Sequence, residues 1–204
     1  MSERAPVCVV GAGAVGCAVA MNLAREGREV FVLEKNSGVS QGENQSTRNS
    51  GVIHAGLYYD PETRPLKAGL CARGVELLYD FCARHGVPHR RCGKLVVAVE
   101  EEERPILEFY RQRAQGNRVP AAIVSGAAAR EMEPQVKAVE ALHLPSSGII
   151  DAAAYVLRLY AQGSNAGATY LTQTALSGVK ATPEGLEVSI TYRDGASDSF
   201  LCGL

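Results

Sequence analysis

The amino-acid sequence predicts an α/β fold built on parallel strands, and three observations support that prediction. Residues 6–10 and 29–33 are nearly continuous apolar runs, which is typical of parallel strands that are covered on both faces. Residues 14–25, between these runs, are rich in small side chains and predict a helix. A glycine-rich segment joins the first run to the helix. The order strand, helix, strand therefore predicts a βαβ unit.

The glycine-rich segment has the pattern G-x-G-x-x-G. Gly11 allows a tight turn, Gly13 lets the backbone approach a pyrophosphate, and Gly16 permits close packing of the helix on the strand. Ala14 and Val15 begin the helix, whose unpaired N–H groups attract an anion. In this context the pattern predicts a FAD/NAD(P)-binding, Rossmann-like domain that holds the adenosine diphosphate part of a dinucleotide.

An acid, Glu34, ends the second strand, and we expect it and the following Lys35 to bind the cofactor. A carboxylate about 20 residues after the glycines accepts hydrogen bonds from the ribose hydroxyls and repels a 2′-phosphate. NADP is therefore disfavoured, whereas this acid does not distinguish NAD from FAD.

The rest of the chain predicts a long polar loop followed by helices and strands in turn. The loop covers residues 36–59, and long loops inside compact domains are usually functional. The later helices are expected at residues 65–84, 101–115, 125–133 and 151–162, and the later strands at residues 94–99, 141–144, 169–176, 186–192 and 199–204.

The composition indicates a small-molecule partner. Lys and Arg number 21 against 22 Asp and Glu, and the net charge of −1 gives no field that would attract nucleic acid. The first residues lack the basic and apolar regions of a signal peptide, and no stretch approaches the roughly 20 apolar residues of a spanning helix. We therefore expect a cytoplasmic protein, with peripheral association with the inner membrane left open.

The cysteines and histidines predict no metal site. None of the six cysteines stands in a C-x-x-C arrangement, and the histidines lack ligand spacing, so we expect reduced cysteines in the core. Cys92 is the exception, because Arg90, Arg91 and Lys94 would favour its thiolate.

The polar segment 45–54 favours a flavin over a nicotinamide. Its hydroxyls and amides suit a ribityl chain and an isoalloxazine ring. Arg48 would pair with a phosphate or a substrate carboxylate, or else face solvent. The alternative for the whole segment is a solvated surface loop with an N-cap serine.

Several segments resemble the FAD-dependent L-2-hydroxyglutarate oxidases and dehydrogenases, which belong to the D-amino-acid-oxidase-like (DAO) superfamily. These are the glycine run with Glu34, residues 49–59 (NSGVIHAGLYY) and residues 92–99 (CGKLVVAV). Residues 147–151 (SGIID) are similar to the TGIVD segment of that family, and the matching segments run from residue 7 to about residue 176.

The resemblance implies a flavoprotein that oxidises the C2 hydroxyl of a small 2-hydroxy acid to a ketone. The substrate would resemble L-2-hydroxyglutarate, the hydride would pass to FAD, and oxygen or a quinone would accept the electrons. Two alternatives remain: an amine or amino-acid oxidase of the same superfamily, and a non-catalytic nucleotide-binding fragment.

Carried over by position, the resemblance also assigns the cofactor-binding residues. The three glycines and Glu34 would hold ADP, and the backbone of Leu176 would bond adenine, although a core leucine fits the sequence equally well. The path from the pyrophosphate to the flavin would be lined by Thr47, Asn49, Ser50 and Gly51.

His54 ends the loop that resembles the flavin-facing one, and we predict that it is catalytic. An imidazole can take the hydroxyl proton while the α-hydrogen leaves as hydride. A structural histidine and a covalent attachment to the flavin remain as alternatives, because the HAGL run is also similar to the flavin-linked site of dimethylglycine-dehydrogenase-like proteins. Tyr58, Tyr59 and Lys94 are expected to border the pocket, with a surface position as the alternative for Lys94.

The domain organisation follows from the same resemblance. Residues 1–85 would be the FAD-binding segment, residues 86–150 the start of a substrate domain with a mixed β-sheet, and residues 151–204 an incomplete return to the FAD-binding domain. The sequence stops where the family would continue into an apolar-Asn-Ala-Ala-Gly segment. We therefore expect an N-terminal portion, truncated relative to the family, with much of the substrate wall outside it.

Overall fold

The computed structural model describes residues 7–42 and 44–203, which form two compact units. The first unit contains the described residues up to Ser50 and from Ala152 onward, and the second is Gly51–Asp151. Residue 6 of the first predicted strand and residue 204 of the last lie outside the described residues.

The elements follow one another along the chain in the following order. They are β1 (Val7–Val10), α1 (Ala14–Arg25), β2 (Val30–Glu34), β3 (Val52–Ile53), α2 (Pro65–His85), β4 (His89–Arg90), β5 (Leu95–Ala98), a 3₁₀ turn (Glu101–Glu103), α3 (Arg104–Gly116), β6 (Ala122–Ser125), α4 (Gly126–Met132), β7 (Glu140–His143), β8 (Gly148–Ile150), α5 (Ala152–Asn165), β9 (Thr169–Thr172), β10 (Thr174–Thr182), β11 (Gly185–Tyr192) and β12 (Ser197–Cys202).

The first unit contains a parallel sheet in the order β1-β2-β9. Val30, Val32 and Leu33 of the central strand are buried, as the continuous apolar run predicted. Helix α1 packs against α5 and the sheet, and its bounds are those predicted from the sequence. The predicted α/β fold class is therefore confirmed.

A separate antiparallel sheet, β10-β11-β12, completes the first unit. Its apolar face forms a core cluster in which Val188 and Ile190 pack with Leu33. The sequence predicted a single strand over 169–176, but Gln173 adopts a left-handed backbone with φ +56° and divides it. Residues before this break join the parallel sheet, and residues after it join the antiparallel one.

The second unit contains two antiparallel sheets, β3-β8-β4 and β5-β7-β6, where one mixed sheet was expected. Each middle strand pairs antiparallel with both of its neighbours. Helix α2 covers one face of the first sheet, since Ile53 packs with Val75 and Tyr79. A second cluster, which includes Leu107 of α3 and Leu142 of β7, is buried against the other sheet.

The first predicted domain boundary, at residue 85, differs from the structure. Strand β3 pairs with β8, and α2 packs on that sheet, so the segment from Gly51 onward lies in the second unit. The second boundary, after Asp151, falls one residue from the prediction.

Local sequence signals account for several helix ends. Gly86 follows α2 in the left-handed conformation with φ +66°, and the Ser125 hydroxyl accepts a hydrogen bond from the Ala128 N–H at the start of α4. The helix predicted from residue 101 begins as a 3₁₀ turn, and the Glu103 carboxylate there accepts a hydrogen bond from the Val99 N–H at 2.6 Å. Among the helices that the structure describes, none is both long and apolar enough to cross a membrane.

Candidate nucleotide-binding site

The glycine turn at the end of β1 requires glycine at two positions, at one for the backbone angle and at the other for space. Gly11 has φ +90°, and its N–H donates to the Leu33 carbonyl at 2.8 Å. A Cβ atom at residue 16 would lie only 1.9 Å from the Gly11 carbonyl oxygen. The turn therefore requires glycine at both positions, and α1 begins directly after Gly13.

The Glu34 carboxylate ties this turn to the end of β2. The residue is only 5% exposed. One oxygen, Oε2, accepts from the Ala12 N–H at 2.8 Å, and the other, Oε1, accepts from the N–H and the side-chain amide of Asn36, both at 2.8 Å. A carboxylate has about four acceptor positions. Three are used, so one position on Oε2 is left for a ligand hydroxyl.

A cavity of about 440 Å³ opens at the carboxyl ends of β1 and β2, entirely within the first unit. Open α/β sheets bind ligands at this edge. Five of the predicted cofactor residues line it, namely Gly11, Gly13, Glu34, Lys35 and Leu176. The remaining lining residues are Val10, Leu33, Asn36, Asn44, Thr174 and Ala175. Leu176 is 37% exposed, so it lies on the wall of this cavity rather than in the core.

The loop after β2 folds onto the N-terminus of α1. The Ser46 hydroxyl accepts a hydrogen bond from the Ala14 N–H at 3.0 Å. The Ser46 N–H in turn donates to the Asn44 carboxamide oxygen at 2.9 Å, and the buried Asn44 amide donates to the Val39 carbonyl. Val15, the next helical residue, is exposed. A serine hydroxyl thus stands where the helix N-terminus attracts an anion.

The other predicted residues of this loop do not line the cavity. The Thr47 hydroxyl donates to the Asn44 carbonyl at 3.1 Å, and the Asn49 amide donates to the Ser46 carbonyl at 2.8 Å. Ser50 and Arg48 are exposed. These hydrogen bonds shape the loop itself.

The sequence-based prediction did not include Asn36, Asn44 or Ser46. The pair Asn44 and Ser46 forms an Asx turn, in which a side-chain oxygen accepts from the N–H two residues later. The Asn-x-Ser spacing in the sequence would have predicted this turn. No spacing rule pointed to Asn36, whose role depends on the turn after β2.

Gly51 and His54 lie in the second unit. At Gly51, with φ +67°, a Cβ atom would lie 2.4 Å from the Ile150 carbonyl oxygen, so pairing of β3 with β8 requires the glycine. The His54 side chain is exposed, between the buried Ile53 and Ala55. Within the part of the chain that the structure describes, its imidazole forms no hydrogen bond. It therefore lacks the partner that a structural histidine would have.

Tyr58 and Lys94 form a polar pair in the same unit. The Lys94 ammonium donates to the Tyr58 hydroxyl at 2.7 Å, and the Tyr58 ring stands edge-on to Tyr110. Lys94 is therefore held by a partner rather than free on the surface.

The cysteines are all free thiols. Burial raises the pKa of Cys8, Cys17 and Cys82 to about 11, which keeps these thiols protonated at neutral pH. Cys92 is exposed.

The parallel sheet, the glycine turn and the acid at the end of the second strand are the features that dinucleotide-binding α/β domains share. A sequence profile described as FAD dependent oxidoreductase (DAO) matches residues 6–199, and the chain belongs to this family.

The curated relatives are named L-2-hydroxyglutarate dehydrogenase, mitochondrial. The chain is 45% identical to the Arabidopsis thaliana protein over 158 residues, which are 77% of this chain and 32% of that protein. It is 35% identical to the Homo sapiens protein over 206 residues, which are 96% of this chain and 44% of that protein. The chain thus spans less than half the length of these relatives.

Solved structures share the fold. L-α-glycerophosphate oxidase from Mycoplasma pneumoniae, with FAD bound, is 27% identical with a TM-score of 0.79, and the match covers 91% of this chain and 49% of that one. Glycine oxidase from Geobacillus kaustophilus is 22% identical with a TM-score of 0.78, over 98% of this chain and 54% of that one. The second likeness concerns the fold alone.

The prediction of a cytoplasmic protein is wrong by this comparison. The relatives from Arabidopsis thaliana, Homo sapiens and Caenorhabditis elegans are mitochondrial proteins. The prediction depended on the lack of signal-peptide features and of a spanning stretch, and neither determines the compartment of a protein.

Proposed function

We propose that this chain binds FAD in the cavity of the first unit. With FAD bound, it would take part in the oxidation of L-2-hydroxyglutarate, or of a close analogue, to the 2-oxo acid. The observation that carries the proposal is the cavity at the carboxyl ends of β1 and β2, lined by Gly11, Gly13 and Glu34. Its volume lies within the roughly 300–1,000 Å³ typical of cofactor pockets.

The residues present fit the adenosine diphosphate part of FAD. The open acceptor position on Glu34 suits a ribose hydroxyl, and a second ribose hydroxyl would replace the Asn36 amide. The N-terminus of α1, at Ala14 and Val15, suits the pyrophosphate, which would take the Ala14 N–H from Ser46.

The adenine would lie against Leu176, whose exposed side chain and strand backbone line the same cavity. Thr47, Asn49, Ser50 and Gly51 remain the proposed residues along the path to the flavin. For Thr47 and Asn49, the role would be to hold the loop in place through the hydrogen bonds described above.

When bound, FAD would supply the hydride acceptor for the C2 hydrogen of the substrate. His54 would take the proton of the C2 hydroxyl on a ring nitrogen, since an imidazole exchanges protons near neutral pH. Its exposure and lack of an internal partner among the described residues support this role. The final electron acceptor would be oxygen or a quinone.

Reconstitution with FAD tests the proposal. Purified protein is titrated with FAD and, separately, with NAD, and binding is followed by flavin fluorescence and by competition. We expect FAD to bind more tightly than NAD and L-2-hydroxyglutarate to bleach the flavin absorbance under anaerobic conditions. A protein that cannot be reconstituted contradicts FAD binding. Bleaching by glycine or D-amino acids but not by L-2-hydroxyglutarate would indicate the amine-oxidase alternative.

A further inference from the structure

The sheet β3-β8-β4 of the second unit has one covered face and one uncovered face. On the covered face, Ile53 and Ile150 pack against Val75 of α2. On the opposite face, Val52 and Ile149 are directly paired across the strands and are 38% and 44% exposed. Val52 and Ile149 therefore form a small apolar surface on this face.

Arg90 lies on the uncovered face. Both of its neighbours contact Tyr79 of α2: the His89 ring at 5.7 Å, and the Arg91 guanidinium at 4.3 Å from the ring centre. Successive side chains of a strand point to opposite faces. Arg90 therefore points away from α2, and the strand register places it directly beside Ile149. Among the described residues, no acid forms an ion pair with the Arg90 guanidinium.

His54 lies on the same face. Ile53 and Ala55 are buried on the α2 side of the chain, whereas Val52 and His54 are exposed. The uncovered face therefore presents the His54 imidazole, two aliphatic side chains and the Arg90 guanidinium, which has no ion-pair partner among the described residues, with the aliphatic pair between the two polar groups.

We propose that Arg90 binds the carboxylate of the substrate that is remote from the reacting carbon, and that it thereby sets the preference for dicarboxylic 2-hydroxy acids. This inference rests on the proposed function, in which His54 takes the C2 hydroxyl proton. Val52 and Ile149 form the floor beneath the methylene groups. A planar guanidinium recognises a carboxylate with two parallel hydrogen bonds.

The span of the site agrees with a short dicarboxylic acid. Two strand spacings of about 4.8 Å and two residues along a strand at about 3.4 Å each place the Cβ atoms of His54 and Arg90 roughly 12 Å apart. Strand side chains stand roughly perpendicular to the sheet, so the polar ends of these two are also roughly 12 Å apart, and two hydrogen bonds of about 2.8 Å leave roughly 6 Å between the bonded groups. Each bond of an extended chain advances about 1.25 Å, so this length corresponds to about five bonds, the separation of the C2 hydroxyl oxygen and the remote carboxylate oxygen in a five-carbon 2-hydroxy dicarboxylic acid. A monocarboxylic 2-hydroxy acid of the same length would leave Arg90 without its partner.

Equilibrium binding of glutarate tests the inference without turnover. Glutarate has both carboxylates but no hydroxyl, so it cannot be oxidised, and butyrate provides the matched monocarboxylate. The FAD-saturated chain is titrated with each acid, and binding is followed by the NMR shifts of the Val52 and Ile149 methyl groups. The variants are Arg90→Gln, Arg90→Lys and the control Arg84→Gln, which changes an exposed arginine of α2.

We expect glutarate to bind more tightly than butyrate, and Arg90→Gln to weaken glutarate binding by about 10- to 100-fold. Arg90→Lys should give an intermediate affinity and Arg84→Gln the wild-type affinity. Wild-type glutarate affinity in Arg90→Gln, equal affinities for the two acids, or no glutarate binding at all would overturn the inference. FAD binding is measured separately, so loss of FAD binding in the wild-type chain would count against the proposed function instead.

Discussion

Replacing Glu34 with glutamine removes a charge while keeping the size of the side chain. The carboxylate accepts three hydrogen bonds at 2.8 Å, one from Ala12 and two from Asn36. A glutamine has one acceptor oxygen, so in its better orientation the oxygen faces Asn36 and the amide group faces the Ala12 N–H. Two donors then stand opposite each other in a buried site.

The cost follows from the hydrogen bonds that are lost or weakened. An unsatisfied buried N–H costs about 1–3 kcal/mol, and each bond to Asn36 weakens by about 1 kcal/mol when its acceptor becomes neutral. Because neighbouring contributions are not fully additive, we expect Glu34→Gln to lower the free energy of unfolding by about 3 kcal/mol.

Urea unfolding followed by circular dichroism measures this loss in the absence of FAD. With a slope of about 2 kcal/mol per molar urea, the midpoint should fall by about 1.5 M. FAD affinity should fall by about tenfold or more, because the open position on the carboxylate becomes an amide donor. Glu26→Gln, an exposed acid at the end of α1, serves as control. A Glu34→Gln protein with the wild-type midpoint and FAD affinity would refute the role of this carboxylate.

Four further predictions concern the turn, the loop, a buried thiol and the catalytic assignment. Gly16→Ala should abolish FAD binding and lower the melting temperature by several degrees, because its Cβ would lie 1.9 Å from the Gly11 carbonyl oxygen; unchanged melting would contradict the close approach. Ser46→Ala should cost about 1 kcal/mol in urea unfolding, since α1 loses a capping acceptor, and an undiminished midpoint would exclude the cap. Burial raises the pKa of Cys17 from 9.0 to about 11. The protonated thiol therefore contributes its full share to the free energy of unfolding below pH 9, and this share is lost as the pH rises toward 11. Cys17→Ala should flatten this decline in unfolding measurements, and an identical pH profile would argue against the shift. His54→Ala should retain FAD but reduce the rate of anaerobic flavin reduction by about 10²–10⁴-fold in stopped-flow absorbance, whereas wild-type rates would make His54 structural.

The βαβ unit was predictable because its signals are local. The glycine spacing, the apolar runs and the acid at the end of β2 each require only neighbouring residues, and α1 occupies the predicted bounds. For the same reason the prediction located Gly11, Gly13 and Glu34, all of which line the cavity.

Other features depend on distant parts of the chain and could not be predicted from local patterns. Strands β3, β4 and β8 contain only two or three residues each and exist because they pair with one another. The break at Gln173 arises because residues 169–172 pair with the parallel sheet and residues 174–182 pair with the antiparallel one. In the site, the two hydrogen bonds from Asn36 to Glu34 depend on the shape of one turn.

Predictions of side-chain role in the polar loop were the hardest to make. Hydroxyl and amide groups suit a cofactor chain and a self-bonded loop equally well, and Thr47 and Asn49 form loop hydrogen bonds in the structure. Among the described residues of this loop, Ser46 is the one whose side chain bonds to the N-terminus of α1, and the sequence-based prediction did not include it.

The second unit is inserted between β2 and α5 of the first, and this arrangement affects how the chain folds. Its entry and exit are neighbours, because the Ile150 N–H donates to the Gly51 carbonyl at 2.8 Å. Residues 35–168 separate β2 from β9, and once the inserted unit Gly51–Asp151 has folded, the effective loop shrinks to residues 35–50 and 152–168, which lowers the entropic cost of their pairing. During synthesis the whole inserted unit emerges before β9, so it can fold before β9 pairs with β2. Mutations that delay folding of the insert should therefore slow assembly of the nucleotide-binding sheet even when they lie far from it in the sequence.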